Sequence, residues 1–197
     1  MKPSLKNIKP KIAISLVLVF LVTNVLTIAY SKIKLFILVY PANLQEPWQW
    51  YRLLTHPFYG AGLLNWVILV FMMIGSGFLV EKHLEKKQIW TLILSATVIG
   101  GASYMYLHRL DDFDPPMGSP AFIGWAYVVT AFILGLTHWK TSGLFEKVWV
   151  GVSVLLLINF CWNDHKLKNE IIIVILFAVF LNLFRIYREK KKNTIFS

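Results

Sequence analysis

The sequence has almost no cysteine and little charge. Cys161 is the single cysteine in 197 residues, which rules out an internal disulfide and leaves a packing role near a helix end. Charged residues make up only 15%, against about a quarter in soluble domains, while 57% are hydrophobic. One water-soluble core cannot hide that much apolar surface, so the chain reads as an integral membrane protein. Gly/Ser linkers, internal repeats and low-complexity tracts are missing as well, and residues 1–197 read as one membrane domain. No Asp, Glu, Lys, Arg or His stands at the centre of any long apolar run. Ion-coupled carriers keep such groups at the bilayer midplane despite a cost of about 2.5 kcal/mol or more each, so this absence argues against transport. The histidines and acids fall into no metal-ligand spacing, and neither metal nor cofactor is expected.

What abounds is apolar sequence. A helix needs roughly 17–25 mainly apolar residues to cross the ~30 Å hydrocarbon layer. Six such runs can be drawn, at about 12–30, 62–80, 89–107, 118–137, 147–162 and 171–187, the fifth being the shortest. Six spans put both termini on one side. That side carries fourteen of the Lys and Arg residues against four acids, and the other side six bases against six acids. The positive-inside rule makes the first side cytoplasmic, and topology accounts for the formal +10 without nucleic acid as a partner. Membrane lipid is the expected partner of that excess, through anionic headgroups. Basic residues precede the first span as in a signal peptide, but Ile28-Ala29-Tyr30 offers no small-x-small cleavage site, so an uncleaved anchor is expected.

Residues 31–61 form a long external segment between the first two spans. Its aromatic residues (Phe36, Tyr40, Trp48, Trp50, Tyr51, Phe58, Tyr59) suit the headgroup layer, and Pro41, Pro47 and Pro57 break it into short pieces. In and after it stand Tyr51-Arg52, Thr55-His56, Gly77-x-x-x-Glu81 ending the second span, and Ser119-Pro120-Ala121-x-x-Gly124 opening the fourth. In these residues the chain resembles the rhomboid family of intramembrane serine proteases. The detailed similarity lies within about 48–135, and the span count, the cytoplasmic termini and the long interfacial first loop extend it to the whole chain in architecture. The resemblance implies an all-α integral membrane fold, a six-transmembrane-helix rhomboid-like bundle in a bacterial inner membrane. Arg52, Gly77, Glu81 and Gly124 are then structural family positions.

The resemblance also implies where the chemistry sits, and there the chain departs from the family. Active members show a His-x4-His-x3-Asn pattern on the outer half of the second span, whose second His and Asn help to hold the oxyanion. Those positions here are Gly60, Asn65 and Leu69. Asn65 remains a candidate oxyanion donor, whereas Leu69 donates nothing, and one lost donor lowers the rate about 10²- to 10³-fold. Ser119 is the candidate nucleophile, but the stacking aromatic expected four positions later is Ile123. A serine hydroxyl reacts only beside a base, and Ser119 followed by Pro120 is equally an ordinary helix N-cap and N1 pair. The family's catalytic His lies in a Gly-rich run of the sixth span, and 170–187 contains neither His nor Gly. His165, in the polar loop Asn163-Asp164-His165-Lys166, is the nearest candidate base, with Glu170 as a carboxylate substitute. An acid at a helix start reads first as a surface-facing residue favoured by the helix dipole. His83 and His138 belong to cytoplasmic connections, and His56 and His108 reach Ser119 only if their loops fold inward.

Packing signals are also present. Ala96-x-x-x-Gly100, Ala131-x-x-x-Gly135, Gly75 and Gly77 let helix backbones approach closely in lipid, and Asn24, Asn159 and Asn182 suit interhelical hydrogen bonds. Ser103 reads as a packing serine. Three functions are carried forward. The first is a pseudoprotease that binds transmembrane clients or a partner membrane protein through an opening beside the second and fifth spans. The second is an active intramembrane serine protease built on Ser119, and the third a structural subunit of a larger membrane complex.

Overall fold

A computed structural model describes residues 10–59, 63–110, 116–162 and 166–195. Six main helices carry the fold: α1 (Lys11–Ala29), α2 (Leu63–His83), α3 (Lys86–Leu107), α4 (Ala121–Thr137), α5 (Leu144–Trp162) and α6 (Lys168–Ile195). Among the described residues the chain has no strand beyond one isolated antiparallel bridge, Val39 with Met117. Five helices are long and apolar enough to cross a membrane, and α4, with 17 residues, is the shorter apolar one.

The helix limits differ from the sequence expectation for local reasons. α4 starts at Ala121 and not at 118, because Pro120 takes the cap position with φ −77° and ψ −3°. α3 starts early, at Lys86, where Glu85 and Gln88 form a reciprocal capping box that leaves only Leu84 and Glu85 between α2 and α3. α6 runs on to Ile195, well past 187, since its Arg- and Lys-rich continuation favours helix and complements the C-terminal end of the dipole.

Helix direction alternates, so one end of the bundle gathers residues 11–13, 81–88 and 138–146 with the last turns of α6. This is called the tail end, and the opposite one the loop end. α4 is the hub: every side chain from Phe122 to Ala131 is buried, and α2, α3, α5 and α6 pack around it. The small residues act as the spacing implies. Gly100 lies flat under the Phe122 ring, Gly135 admits Val150 of α5, and Gly75 receives the Trp149 ring. Trp149 Nε1 also donates to Ser76 Oγ at 3.1 Å, and Lys82 pairs with the buried Glu146 carboxylate, so α5 is tied to α2 near the tail end. Asn182 Nδ2 donates to Thr130 Oγ1 at 3.0 Å, joining α6 to α4.

α1 is peripheral. It buries only Ala13, Val17, Phe20 and Thr27, and its start has no side-chain cap of its own. The missing acceptor comes from α2: Glu81 receives the N–H groups of Ile12 at 3.0 Å and Ala13 at 2.8 Å. The segment between α1 and α2 is a chain of short helical pieces, three of them opened by or containing the prolines, at Pro41–Gln45, Pro47–Gln49 and His56–Phe58.

Candidate functional site

The residues singled out by the resemblance divide between the two ends. Gly77 and Glu81 are on the tail-end half of α2. A methyl on Gly77 would lie 2.7 Å from Ala13 Cβ, so the glycine lets α1 come close enough for Glu81 to cap it. Their role here is helix docking.

At the loop end the organising side chain is Arg52. Its Nη1 donates to the Leu38 carbonyl at 2.9 Å, and its guanidinium lies over the Tyr40 and Tyr51 rings at 5.5 and 5.8 Å. The next residue, Val39, exchanges two backbone hydrogen bonds with Met117, at 2.9 and 2.8 Å. Gly118 then fits between Leu38 and Tyr59, where a methyl would come within 2.6 and 2.8 Å. Arg52 thus holds the first loop in the shape that grips the chain immediately before Ser119. This strand-like contact was not legible in the sequence, where neither Val39 nor Met117 carries a pairing signal.

Ser119 is half-buried, and its Oγ accepts the Ala121 N–H at 3.2 Å. Pro120, and not Ser119, occupies the cap position, yet the hydroxyl still satisfies an open N–H of α4. Among the described residues no hydrogen bond joins Ser119 to a histidine or an acid. Leu69 is buried and covers Gly124, with Cδ1 3.0 Å from where a methyl would stand there, and Ile123 is buried in the core. The side chain of Asn65 lies outside the described residues, as do Gly60 and His165.

The histidines behave differently from expectation. His56 belongs to no exposed loop: it is fully buried, against Gly101 and edge-on to Phe122, with Nε2 3.0 Å from the Thr97 carbonyl. A carbonyl only accepts, so Nε2 carries the proton and Nδ1 is a bare buried acceptor. Burial lowers its pKa to about 4, partly offset by the Thr97 bond, so the ring is neutral at physiological pH. It folds inward, as an approach to Ser119 would need, but it serves as the plug that docks the first loop on α3.

Glu170 corrects the sequence reading most directly. It is 2% exposed and not surface-facing, and it accepts a hydrogen bond from His108 Nε2 at 2.9 Å. The physical reason is that the first turn of α6 packs on the end of α3, and a carboxylate entering that contact needs a donor. The only sign in the sequence is one acid and one histidine at the same depth of two helices, 62 residues apart. Below this pair the buried face of α6 is Ile171, Val174, Ala178 and Asn182.

Among the described residues no group of three or more His, Cys, Asp or Glu side chains could hold a metal ion. Comparison with protein-family models, curated proteins and solved structures gives no match.

Proposed function

We propose that this chain is a rhomboid-like polytopic membrane protein of a bacterial inner membrane, with six spans and both termini cytoplasmic. In this reading it binds a transmembrane client or partner and does not cleave it. The observation that carries the reading is the buried face of α6, where Ile171, Val174, Ala178 and Asn182 stand where a base would have to face α4. Leu69 over Gly124, and a Ser119 hydroxyl that is hydrogen-bonded to no base among the described residues, point the same way. A hydroxyl without an adjacent base is a poor nucleophile.

In this reading the client packs on the exposed apolar surface of α2 and α5. Trp149 and the Lys82–Glu146 pair close the tail half. Both helices expose apolar side chains, Val67, Ile68 and Phe71 on α2 and Leu155, Ile158 and Trp162 on α5, the last three on the side of α5 turned away from Trp149. A single apolar helix binds such a surface by close packing. Photo-crosslinkers at Ile68 and Ile158 should then capture the same membrane protein, while one at Val22 of α1 should not. Uniform capture at all three positions would contradict a defined partner site. Co-purification of that protein at a fixed ratio through detergent would point to a stable subunit of a complex.

One observation favours a second reading. The His108–Glu170 pair has the base-plus-orienting-carboxylate form that activates a nucleophile, and it lies at the same end of the bundle as Ser119. This gives the protease alternative His108 as its base, with Glu170 holding it, in place of His165. It predicts cleavage of a single-span substrate that is lost in both Ser119→Ala and His108→Gln.

A further inference from the structure

Towards the loop end, α4 and α5 leave a shallow groove of about 390 Å³ between them, lined by Phe132 of α4 and by Val154, Leu157, Ile158, Cys161 and Trp162 of α5. Val154 and Cys161 lie about 140° and about 120° round the helix from Trp149. Trp149 meets α2, so the groove runs along the other flank of α5. From Val154 to Trp162 the helix rises about 12 Å, close to the ~15 Å of hydrocarbon in one leaflet. A piece of helix of that length, about 10–12 Å across, fills on the order of 1,000 Å³. The groove is therefore too small to seat a helix and has the width and depth of a single hydrocarbon chain that enters from one leaflet.

The mouth of the groove is charged. Lys168 Nζ donates to the Cys161 carbonyl at 3.2 Å, which holds the ammonium beside the end of the apolar lining. That carbonyl takes one of its three N–H groups, and no carboxylate of the described residues pairs with it, Glu170 being taken by His108. Lys168 is also the first residue of α6, where the helix dipole is positive and a cation is disfavoured. An anion at this point offsets both charges. Trp162, 88% exposed at the same end, suits the headgroup layer.

We propose that this groove seats one acyl chain of an anionic phospholipid, with the Lys168 ammonium on its phosphate. The apolar wall supplies the chain's seat, and a charge-assisted hydrogen bond from the ammonium selects the headgroup. The inference rests neither on client binding nor on the reactivity of Ser119. Ile158 and Trp162 also belong to the surface assigned to a client, so Val154 and Lys168 carry the test.

The test uses delipidated protein in detergent, titrated with phosphatidylglycerol or phosphatidylcholine. Native mass spectrometry reads lipid binding, and the labelling rate of Cys161, the single cysteine, with a thiol reagent reads the seat of the chain. Wild type should bind one phosphatidylglycerol about fivefold more tightly than phosphatidylcholine, and bound lipid should slow the labelling by a similar factor. Lys168→Gln should bind the two lipids equally. Val154→Trp, which fills the groove from an exposed position without removing charge, should label at one rate with or without lipid. Lys147→Gln, at the other end of α5, should behave as wild type. Melting profiles show that each variant is folded, and Val154→Trp carries the test if Lys168→Gln is not. Slowing by lipid in Val154→Trp, or an undiminished preference in Lys168→Gln, would overturn the site. Equal binding of both lipids by wild type would overturn the anionic-lipid assignment. A labelling rate that falls with protein concentration and not with lipid would give the groove to a second copy of the chain and overturn the lipid reading.

Discussion

Replacing Glu81 should detach α1 before anything else unfolds. Its carboxylate takes two N–H groups at the start of a helix that has no cap of its own. Hydrogen bonds to a charged acceptor are worth about 1.5–3 kcal/mol each, and a partly exposed site belongs at the low end. Glu81→Ala should therefore destabilise by about 3 kcal/mol, with the loss of a negative charge at a helix start included. Glu81→Gln keeps one carbonyl acceptor and should lose roughly half as much. The same contact depends on Gly77, so Gly77→Val should already displace α1, and the two changes should be far from additive, with a coupling of about 1 kcal/mol or more. Reversible unfolding in mixed micelles with increasing SDS measures wild type, the three single variants and the Glu81→Ala, Gly77→Val double variant. A Glu81→Ala protein within about 0.5 kcal/mol of wild type, or strict additivity with Gly77→Val, would refute the capping account.

Lys82→Met leaves the buried Glu146 carboxylate without its cation and should destabilise by about 3–5 kcal/mol, whereas Lys82→Met with Glu146→Leu should recover most of that in the same unfolding assay. Asn182→Leu should remove the α4–α6 hydrogen bond at a loss of about 0.6–1.7 kcal/mol, and Thr130→Val should show little further effect in that background. Because the folded pKa of His56, about 4, lies below the ordinary 6.5, its contribution is complete above pH 6.5 and is lost as pH falls towards 4. Wild type should thus lose up to about 3 kcal/mol more than His56→Gln over that range, read from unfolding curves at each pH. Gly75→Val would force the Trp149 ring aside and should destabilise by about 1–3 kcal/mol, with a change in tryptophan fluorescence.

The membrane helices were legible because apolar length needs no partner to be recognised, and so were the breaks at Pro41, Pro47 and Pro57. Small residues announced close approach, although the side chains that fill them, Phe122 at Gly100, Val150 at Gly135 and Trp149 at Gly75, come from helices far along the chain. Glu81 stood out by resemblance, yet its task of capping a helix 68 and 69 residues earlier has no local signature, since α1 merely lacks a cap. Glu170 was misread for the same reason. An acid in a first turn is ordinarily solvated, and only the packing of α6 on α3 turns it towards His108. The burial of His56 likewise depends on the notch at Gly101, which a sequence displays only as one more small residue.

The central claim is that Ser119 is not an activated nucleophile. Purified membranes treated with a fluorophosphonate probe, wild type beside Ser119→Ala and beside an active rhomboid protease, test it most directly. The account predicts that the active protease is labelled and this protein is not. Labelling that disappears in Ser119→Ala would contradict it and make His108 the base to test next.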